Sequence, residues 1–369
     1  MGKKDIRVLV VDDSAVLREQ ISDFVNAADG LQVVGTARDG IEAIERIDQL
    51  SPDLVTLDVH MPRMDGLATL DAILRNRPLP VIMVSALTQR AADVTLQALE
   101  RGALDYITKP DSLKASETVF RDELVRKIKM MAGADVERVL RVRRNRGQQS
   151  KLSGTSPWGN KQVDSLAGSH AFEDCCVAIG ISTGGPPALS RVFQELRPPL
   201  PAMAIVQHMP ANFTGPFARR LDSISALNVK EAEDGDELVA NHAFVAPGGR
   251  HLRLVRKGSR VFVRICDSDP VSGHRPSVDV MMKDAATAYR ERTLGVIMTG
   301  MGHDGADGCQ AIRDAGGFVL GQDEASSDVY GMNKVACVRG HVDRQFSLSQ
   351  LSKLLPQQCR KMFRLEAVE

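Results

Sequence analysis

The residues of this chain best suited to chemistry fall into two groups. In the first, Asp12 and Asp13 follow the apolar run Ile6–Val11, Asp58 follows Leu54–Leu57, and Ser85 follows Val81–Val84. Lys109-Pro110 comes just after Asp105–Ile107. Three carboxylates brought together repel one another unless a hard divalent cation such as Mg²⁺ neutralises them. Such a cation also stabilises the oxygens of a phosphoryl group passing to one of the carboxylates. Ser85 and Lys109 would then supply a hydroxyl and an ammonium to phosphate oxygens. Taken singly, each residue has a plainer use: Asp13 as a helix cap near Ser14, Asp58 as a loop carboxylate, Lys109 as a surface lysine.

In the second group, Cys175–Ile181 runs into Ser182-Thr183-Gly184-Gly185-Pro186, and Met203–Gln207 runs into His208-Met209-Pro210. Leu294–Thr299 runs into Gly300-Met301-Gly302-His303-Asp304-Gly305. A serine, a histidine and an aspartate that all sit just past strands can converge on one sheet edge and form a nucleophile, a base and an orienting acid. The order Ser, His, Asp differs from that of the familiar hydrolases, but the chemistry depends on geometry. Gly184 and Gly185 permit a tight strand-to-helix turn, and the amides there or beside Met301 could bind an oxyanion. The same Ser182-Thr183 turn could serve only as a helix cap or a phosphate cradle. Spacing leaves His208, His274 and His303 all open as the base.

The elements that must position these groups alternate strand and helix. The first 132 residues hold the strand-length runs named above plus Gln32–Thr36, with helical periodicity between them, as in Ile41–Leu50. The second half repeats the alternation. Both read as α/β, with parallel sheets covered by helices on both faces and ligands expected at the carboxyl ends of the strands. Net charge is −4 over residues 1–132, +4 over 133–170 and zero over 171–369. The middle stretch holds Arg141, Arg143, Arg144 and Arg146, then a Ser/Gly/Gln-rich run that includes the lone Trp158. It reads as a flexible linker between a domain at 1–132 and another at 171–369, with the preceding helix running into its start.

Lys and Arg number 47, as do Asp and Glu. That balance argues against a nucleic-acid coat protein, and no DNA partner is expected. No apolar run approaches the ~18 residues of a membrane span. The first apolar run ends at Asp12-Asp13, which argues against a signal peptide, so a cytoplasmic monomer without membrane insertion is expected. The six cysteines show no metal-ligand spacing and are expected to be reduced and mostly buried.

Asp12-Asp13, Asp58 with Met61-Pro62 and Asp65-Gly66, Ser85 and Lys109-Pro110 together resemble the receiver domain of two-component response regulators, over about residues 5–130. The resemblance implies a flavodoxin-like five-stranded parallel sheet and phosphorylation at Asp58. It also implies Mg²⁺ held by Asp12, Asp13 and Asp58, phosphate contacts from Ser85 and Lys109, and an aromatic switch at Tyr106. His60 departs from the pattern, standing where an acidic residue is common.

Further along, Ile179-Gly180-Ile181-Ser182-Thr183-Gly184-Gly185-Pro186, Gln207-His208-Met209-Pro210, His274-Arg275-Pro276-Ser277-Val278-Asp279 and Thr299–Gly305 resemble the chemotaxis methylesterase family CheB. Pro247-Gly248 and His251-Leu252 fit as well, and the match covers about residues 172–358. Ile181 and Gly249 are small departures that remove no catalytic group. The resemblance implies a doubly wound α/β catalytic domain with nucleophile Ser182, base His208 and orienting acid Asp304. The Met301 backbone amide falls at the oxyanion position, with Thr183 and His274 near the site. The implied substrates are γ-glutamyl methyl esters, and selected glutamines, on methyl-accepting chemotaxis receptors. The implied phosphodonor is the chemotaxis histidine kinase, with the unphosphorylated receiver covering the active site. No cofactor is implied for the ester chemistry. The rival reading is a response regulator whose second domain binds a partner or nucleic acid without catalysis. The neutral charge of that domain and its complete Ser-His-Asp set weigh against it.

Overall fold

The structure, a computed structural model, describes residues 4–110, 114–134, 136–137, 139–140 and 172–363. It divides into two compact units, Met1–Leu152 and Ser153–Glu369. Of the segment read as a linker, residues 136, 137, 139 and 140 are helical, with Val136, Val139 and Leu140 buried. The rest of that stretch, apart from 133 and 134, lies outside the described residues.

The first unit runs β1 (Ile6–Val11), α1 (Ala15–Asn26), β2 (Leu31–Ala37), α2 (Gly40–Leu50), β3 (Leu54–Asp58), α3 (Gly66–Asn76), β4 (Val81–Ser85), α4 (Gln89–Arg101), β5 (Asp105–Thr108) and α5 (Lys114–Met131). The strands form one parallel sheet in the order β2-β1-β3-β4-β5. Every residue of β3 and β4 is buried, as expected where helices cover both faces of a sheet. The helices begin at side-chain caps: Ser14, Asp39, Asp65 and Thr88 each accept a backbone N–H from the first turn. Ser14, rather than Asp13, caps α1, which leaves the Asp13 side chain exposed at the sheet edge.

The second unit runs β6 (Cys176–Ile181), α6 (Gly185–Glu195), β7 (Ala202–Gln207), α7 (Ala211–Ile224), β8 (Asn228–Glu231), β9 (His242–Val245), β10 (His251–Lys257) and β11 (Arg260–Cys266). It continues with α8 (Val278–Tyr289), β12 (Thr293–Ile297), α9 (Ala306–Asp314), β13 (Phe318–Gln322), α10 (Met332–Val338), β14 (Arg344–Phe346) and α11 (Leu348–Met362). Seven strands make a parallel sheet in the order β14-β13-β12-β6-β7-β9-β8. Central β6 and β7 are buried throughout, and Phe193, Phe213 and Phe217 from the flanking helices are fully buried. The strand–helix alternation stops between α7 and α8, where β8, β9, β10 and β11 follow one another without a helix, the last two as an antiparallel hairpin. Its burial alternates along much of each strand, as for a ribbon with one face on the core. Among the described residues no helix is long and apolar enough to cross a membrane. All six cysteines are free thiols, four of them buried.

The carboxyl edge of this sheet depends on close approach between β6 and α8. A Cβ added at Gly180 would lie 2.2 Å from Val278 Cγ1, at the first residue of α8. Overpacking of this kind costs about 1–3 kcal/mol. Gly180→Ala should therefore lower the unfolding free energy of the second unit, measured in urea, by that amount and leave the transition of the first unit unchanged.

Candidate active site

Ser182, His208 and Asp304 lie just beyond the carboxyl ends of β6, β7 and β12, three neighbouring strands with β6 in the middle. His208 Nε2 is 2.8 Å from Asp304 Oδ2. Asp304 is fully buried and His208 nearly so. Burial pushes the Asp304 carboxyl up, but the bond and charge of His208 and the N–H groups of Asp279 and Val278 outweigh it and bring it down to about 2. The carboxylate is therefore ionised and can only accept, so Nε2 carries the proton. His208 Nδ1 is buried without a hydrogen-bond partner and keeps a lone pair for a serine hydroxyl. The ring is thus turned relative to the familiar serine-protease arrangement, in which the aspartate binds Nδ1. His274 stacks on His208 with ring centroids 3.8 Å apart and planes 7° apart. His303 is exposed, and it is His208 that is bonded to Asp304.

Asp304 is held by the first turn of α8. The hydroxyl of Ser277, the N-cap residue, donates to Asp304 Oδ1 (2.8 Å), and the N–H groups of Val278 and Asp279 donate to Oδ2 (2.7 Å) and Oδ1 (3.0 Å). The positive end of the helix dipole reinforces these bonds. Asp279 returns the arrangement one helix on: its Oδ1 accepts from Gly305 (2.9 Å) and Gly308 (2.7 Å) at the start of α9. That helix has no capping side chain of its own.

The Ser182 turn is fixed by its own backbone. Ser182 N–H donates to the Thr299 carbonyl (3.0 Å) and Gly185 N–H to the Ser182 carbonyl (2.8 Å), so neither amide serves an oxyanion. Gln207 Nε2 also donates to the Ser182 carbonyl (2.9 Å). The Thr299 hydroxyl lies 3.0 Å from the Thr183 carbonyl and accepts the Val329 N–H (3.0 Å). Gly300 is needed beside the serine, since a Cβ there would lie 2.7 Å from Ser182 Cβ and 2.4 Å from Met332 Sδ. Thr183 and Met301 flank the site, both half-buried.

In the first unit, Asp12, Asp13 and Asp58 bring carboxylate oxygens within 4.8 Å of one another. Lys109 Nζ sits 2.9 Å from both Asp12 Oδ2 and Asp58 Oδ1. Burial and the Asp12 charge hold the Asp58 carboxyl above its usual range, although Lys109 and the His60 N–H pull it down. Burial would lower the Lys109 ammonium, but Asp58 and Asp12 raise it. One lysine therefore leaves uncompensated negative charge among hard oxygen donors, which fits a divalent cation such as Mg²⁺. His60 turns its side chain to solvent and contributes its backbone. Ser85, fully buried, accepts a bond from the Thr95 hydroxyl on α4 (2.8 Å), and the Lys109 N–H donates to the Ser85 carbonyl (2.7 Å). Tyr106 is buried, with the Lys127 ammonium 5.3 Å from its ring centroid.

Thr95 behind Ser85 carries no signal in the sequence beyond its residue type, while Gln207 and Thr299 behind Ser182 open the Gln207–Pro210 and Thr299–Gly305 motifs without a role assigned to them there. Ser277 and Asp279 lie inside the His274–Asp279 motif. The spacing Ser277-Val278-Asp279 before an apolar helical run is a legible cap, but what it caps is distant in sequence.

An acidic five-stranded receiver and a parallel α/β domain with Ser, His and Asp on adjacent strand ends define a response regulator with a hydrolase-like output domain. Residues 8–118 match the response regulator receiver domain, and residues 177–355 match the CheB methylesterase. The chain is 42% identical over 349 residues to a Pectobacterium atrosepticum protein and 44% identical over 353 residues to one from Pyrococcus horikoshii. These alignments cover 94% and 95% of this chain and 95% and 92% of the relatives. Both relatives are named protein-glutamate methylesterase/protein-glutamine glutaminase, as is a Geobacter metallireducens protein 41% identical over 96% of each chain. The chain belongs to the CheB methylesterase family.

Because the folded Asp58 carboxyl titrates above its usual value of 3.8, its ionised form is less favourable folded than unfolded. Stability is thus lost as pH rises from about 4 through the folded value. Asp58→Asn should raise the receiver's melting temperature by a few degrees at pH 7, at about 4 °C per kcal/mol, and the advantage should vanish below pH 4. An equal or lower melting temperature for Asp58→Asn at pH 7 would contradict this account of the site.

Proposed function

We propose that this chain hydrolyses glutamate γ-methyl esters, and deamidates selected glutamines, on methyl-accepting chemotaxis receptors, under control of phosphorylation at Asp58. The observation that carries the reading is the His208–Asp304 pair beside the Ser182 turn, in a chain aligned almost end to end with relatives of that name.

The Ser182 hydroxyl attacks the ester carbonyl and His208 Nδ1 takes its proton. Asp304, already ionised and bonded to Nε2, stabilises the imidazolium. The tetrahedral oxyanion needs a donor other than the engaged amides of Ser182 and Gly185. Met301, with Thr183 nearby, is assigned that role. His208 returns the proton to the departing methanol, leaving a glutamyl ester on Ser182. Water, deprotonated by the same nitrogen, then frees the glutamate. A glutamine amide follows the same path with ammonia leaving, because its tetrahedral intermediate is similar. His274, stacked on His208, keeps the imidazole plane fixed through these transfers.

In the receiver, Asp12, Asp13 and Asp58 would hold Mg²⁺, which when bound neutralises the phosphoryl oxygens. Asp58 accepts the phosphoryl group, and Lys109 and Ser85 bind its oxygens. The chemotaxis histidine kinase is the donor. Tyr106 relays the state of the site, and phosphorylation relieves a block that the receiver imposes on the esterase.

Ser182→Ala should lower methanol release from radiolabelled methylated receptor membranes by about 10⁴-fold or more, and Asp304→Asn by about 10²–10⁴-fold. A fluorophosphonate should label Ser182, which a purely binding output domain would not permit. Near-normal activity in folded Ser182→Ala would end the proposal. Acetyl phosphate with Mg²⁺ should label wild type at Asp58 and accelerate methanol release. EDTA or Asp58→Asn should abolish both effects, whereas undiminished labelling of Asp58→Asn would place the acceptor elsewhere.

A further inference from the structure

Behind Asp304 lies a second histidine with no part in the chemistry above. His251, the first residue of β10, is completely buried. Its Nδ1 is 3.2 Å from the backbone nitrogen of Ser277, and its Nε2 is 3.1 Å from the carbonyl oxygen of Asp269. A backbone N–H can only donate and a carbonyl can only accept, so the two neighbours dictate the ring's state. Nδ1 must be the bare nitrogen and Nε2 must carry the hydrogen. A doubly protonated ring would set one of its N–H groups against the Ser277 N–H.

The residue it grips is the N-cap of α8. Ser277 donates its hydroxyl to Asp304, and the next two amides complete that carboxylate's shell. A continuous chain of hydrogen bonds therefore runs from the Asp269 carbonyl through His251, Ser277 and Asp304 to His208. The Ser277 N–H lies ahead of the first helical turn, where no intrahelical acceptor is available to it. His251 supplies that acceptor and so sets the direction in which the turn meets Asp304. The neighbouring loop is tied to the same strand end, with Gly249 N–H donating to the Arg275 carbonyl (3.1 Å).

We infer that His251, as the neutral ring protonated at Nε2, is a positioning residue for the esterase: it orients the α8 N-terminus through Ser277 and thereby places Asp304 and the His208 base. This rests on the Ser182-His208-Asp304 reading given above. The loss expected on removing His251 is in turnover, because a completely buried ring cannot itself touch a receptor segment.

The test uses the full chain with His251→Asn, His251→Gln and His251→Leu, beside wild type and Ser182→Ala. Asparagine places an acceptor near the Nδ1 position and keeps the Ser277 contact. Glutamine reaches towards Asp269 but offers nothing at Nδ1, and leucine offers neither. Methanol release should show kcat reduced by about 100-fold in His251→Leu and His251→Gln, the scale of a displaced catalytic group, with KM within about twofold of wild type. His251→Asn should stay within about tenfold of wild type, having lost one neutral hydrogen bond. The rate of fluorophosphonate labelling at Ser182, which needs no receptor, should fall in the same order. The Asn and Gln variants, both polar and amide-bearing, control for folding, and near-identical thermal melts for the two keep the comparison one of position. If His251→Gln equals His251→Asn, if the loss falls in KM, or if folded His251→Leu turns over at the wild-type rate, the role assigned to His251 is wrong while an inactive Ser182→Ala leaves the triad standing. If Ser182→Ala itself keeps wild-type turnover, the triad reading falls and this proposal with it.

Discussion

A carboxylate taken out of water must be held by dipoles or by charge, and Asp304 is held by the opening turn of a helix. Two amides and the N-cap hydroxyl of α8 converge on it, leaving one oxygen directed at His208. Removing one partner of such a buried pair costs about 3–5 kcal/mol, so the helix, the acid and the imidazole form one unit. The unit extends through Asp279, which caps α9 in turn. Two helices and the loop after β12 are thereby locked together by two buried carboxylates, each satisfying donors that would otherwise be orphaned.

The consequence for chemistry is preorganisation. The His208 imidazole is aligned before any substrate arrives, because Asp304 is ionised and its bond fixes the tautomer. The Ser182 turn is fastened separately, through Thr299, Gln207 and the glycine that lets β12's loop touch Ser182. Positioning of this kind saves the reorganisation that a looser site would need during reaction.

The receiver uses the opposite tactic. Its carboxylates are crowded with too little positive charge, and Asp58 is held above its usual range by burial and by Asp12. A site of that kind is less stable than it would be with a neutral residue, and it is poised to gain from a cation and a phosphoryl group. Stability is given up where binding is to do work, a common feature of sites that switch.

Much of this was legible in the sequence. Short apolar runs ending in Asp12-Asp13, Asp58, Ser182 and His208 mark parallel strands whose carboxyl ends carry chemistry, because such strands are buried on both faces and must end where polar groups can reach solvent or ligand. Periodicity also located the helices, and charge marked the middle segment. Only the tertiary structure decided that β7 and β12 both flank β6, that Nε2 rather than Nδ1 of His208 meets Asp304, and that His251, Ser277 and Asp279 stand behind the acid. It alone showed Ser14, not Asp13, capping α1, and the run of strands β8 to β11 breaking the alternation. Local patterns report which face of an element is apolar. They do not report which distant donor meets which acceptor, since that follows from strand order and from where each helix begins in space.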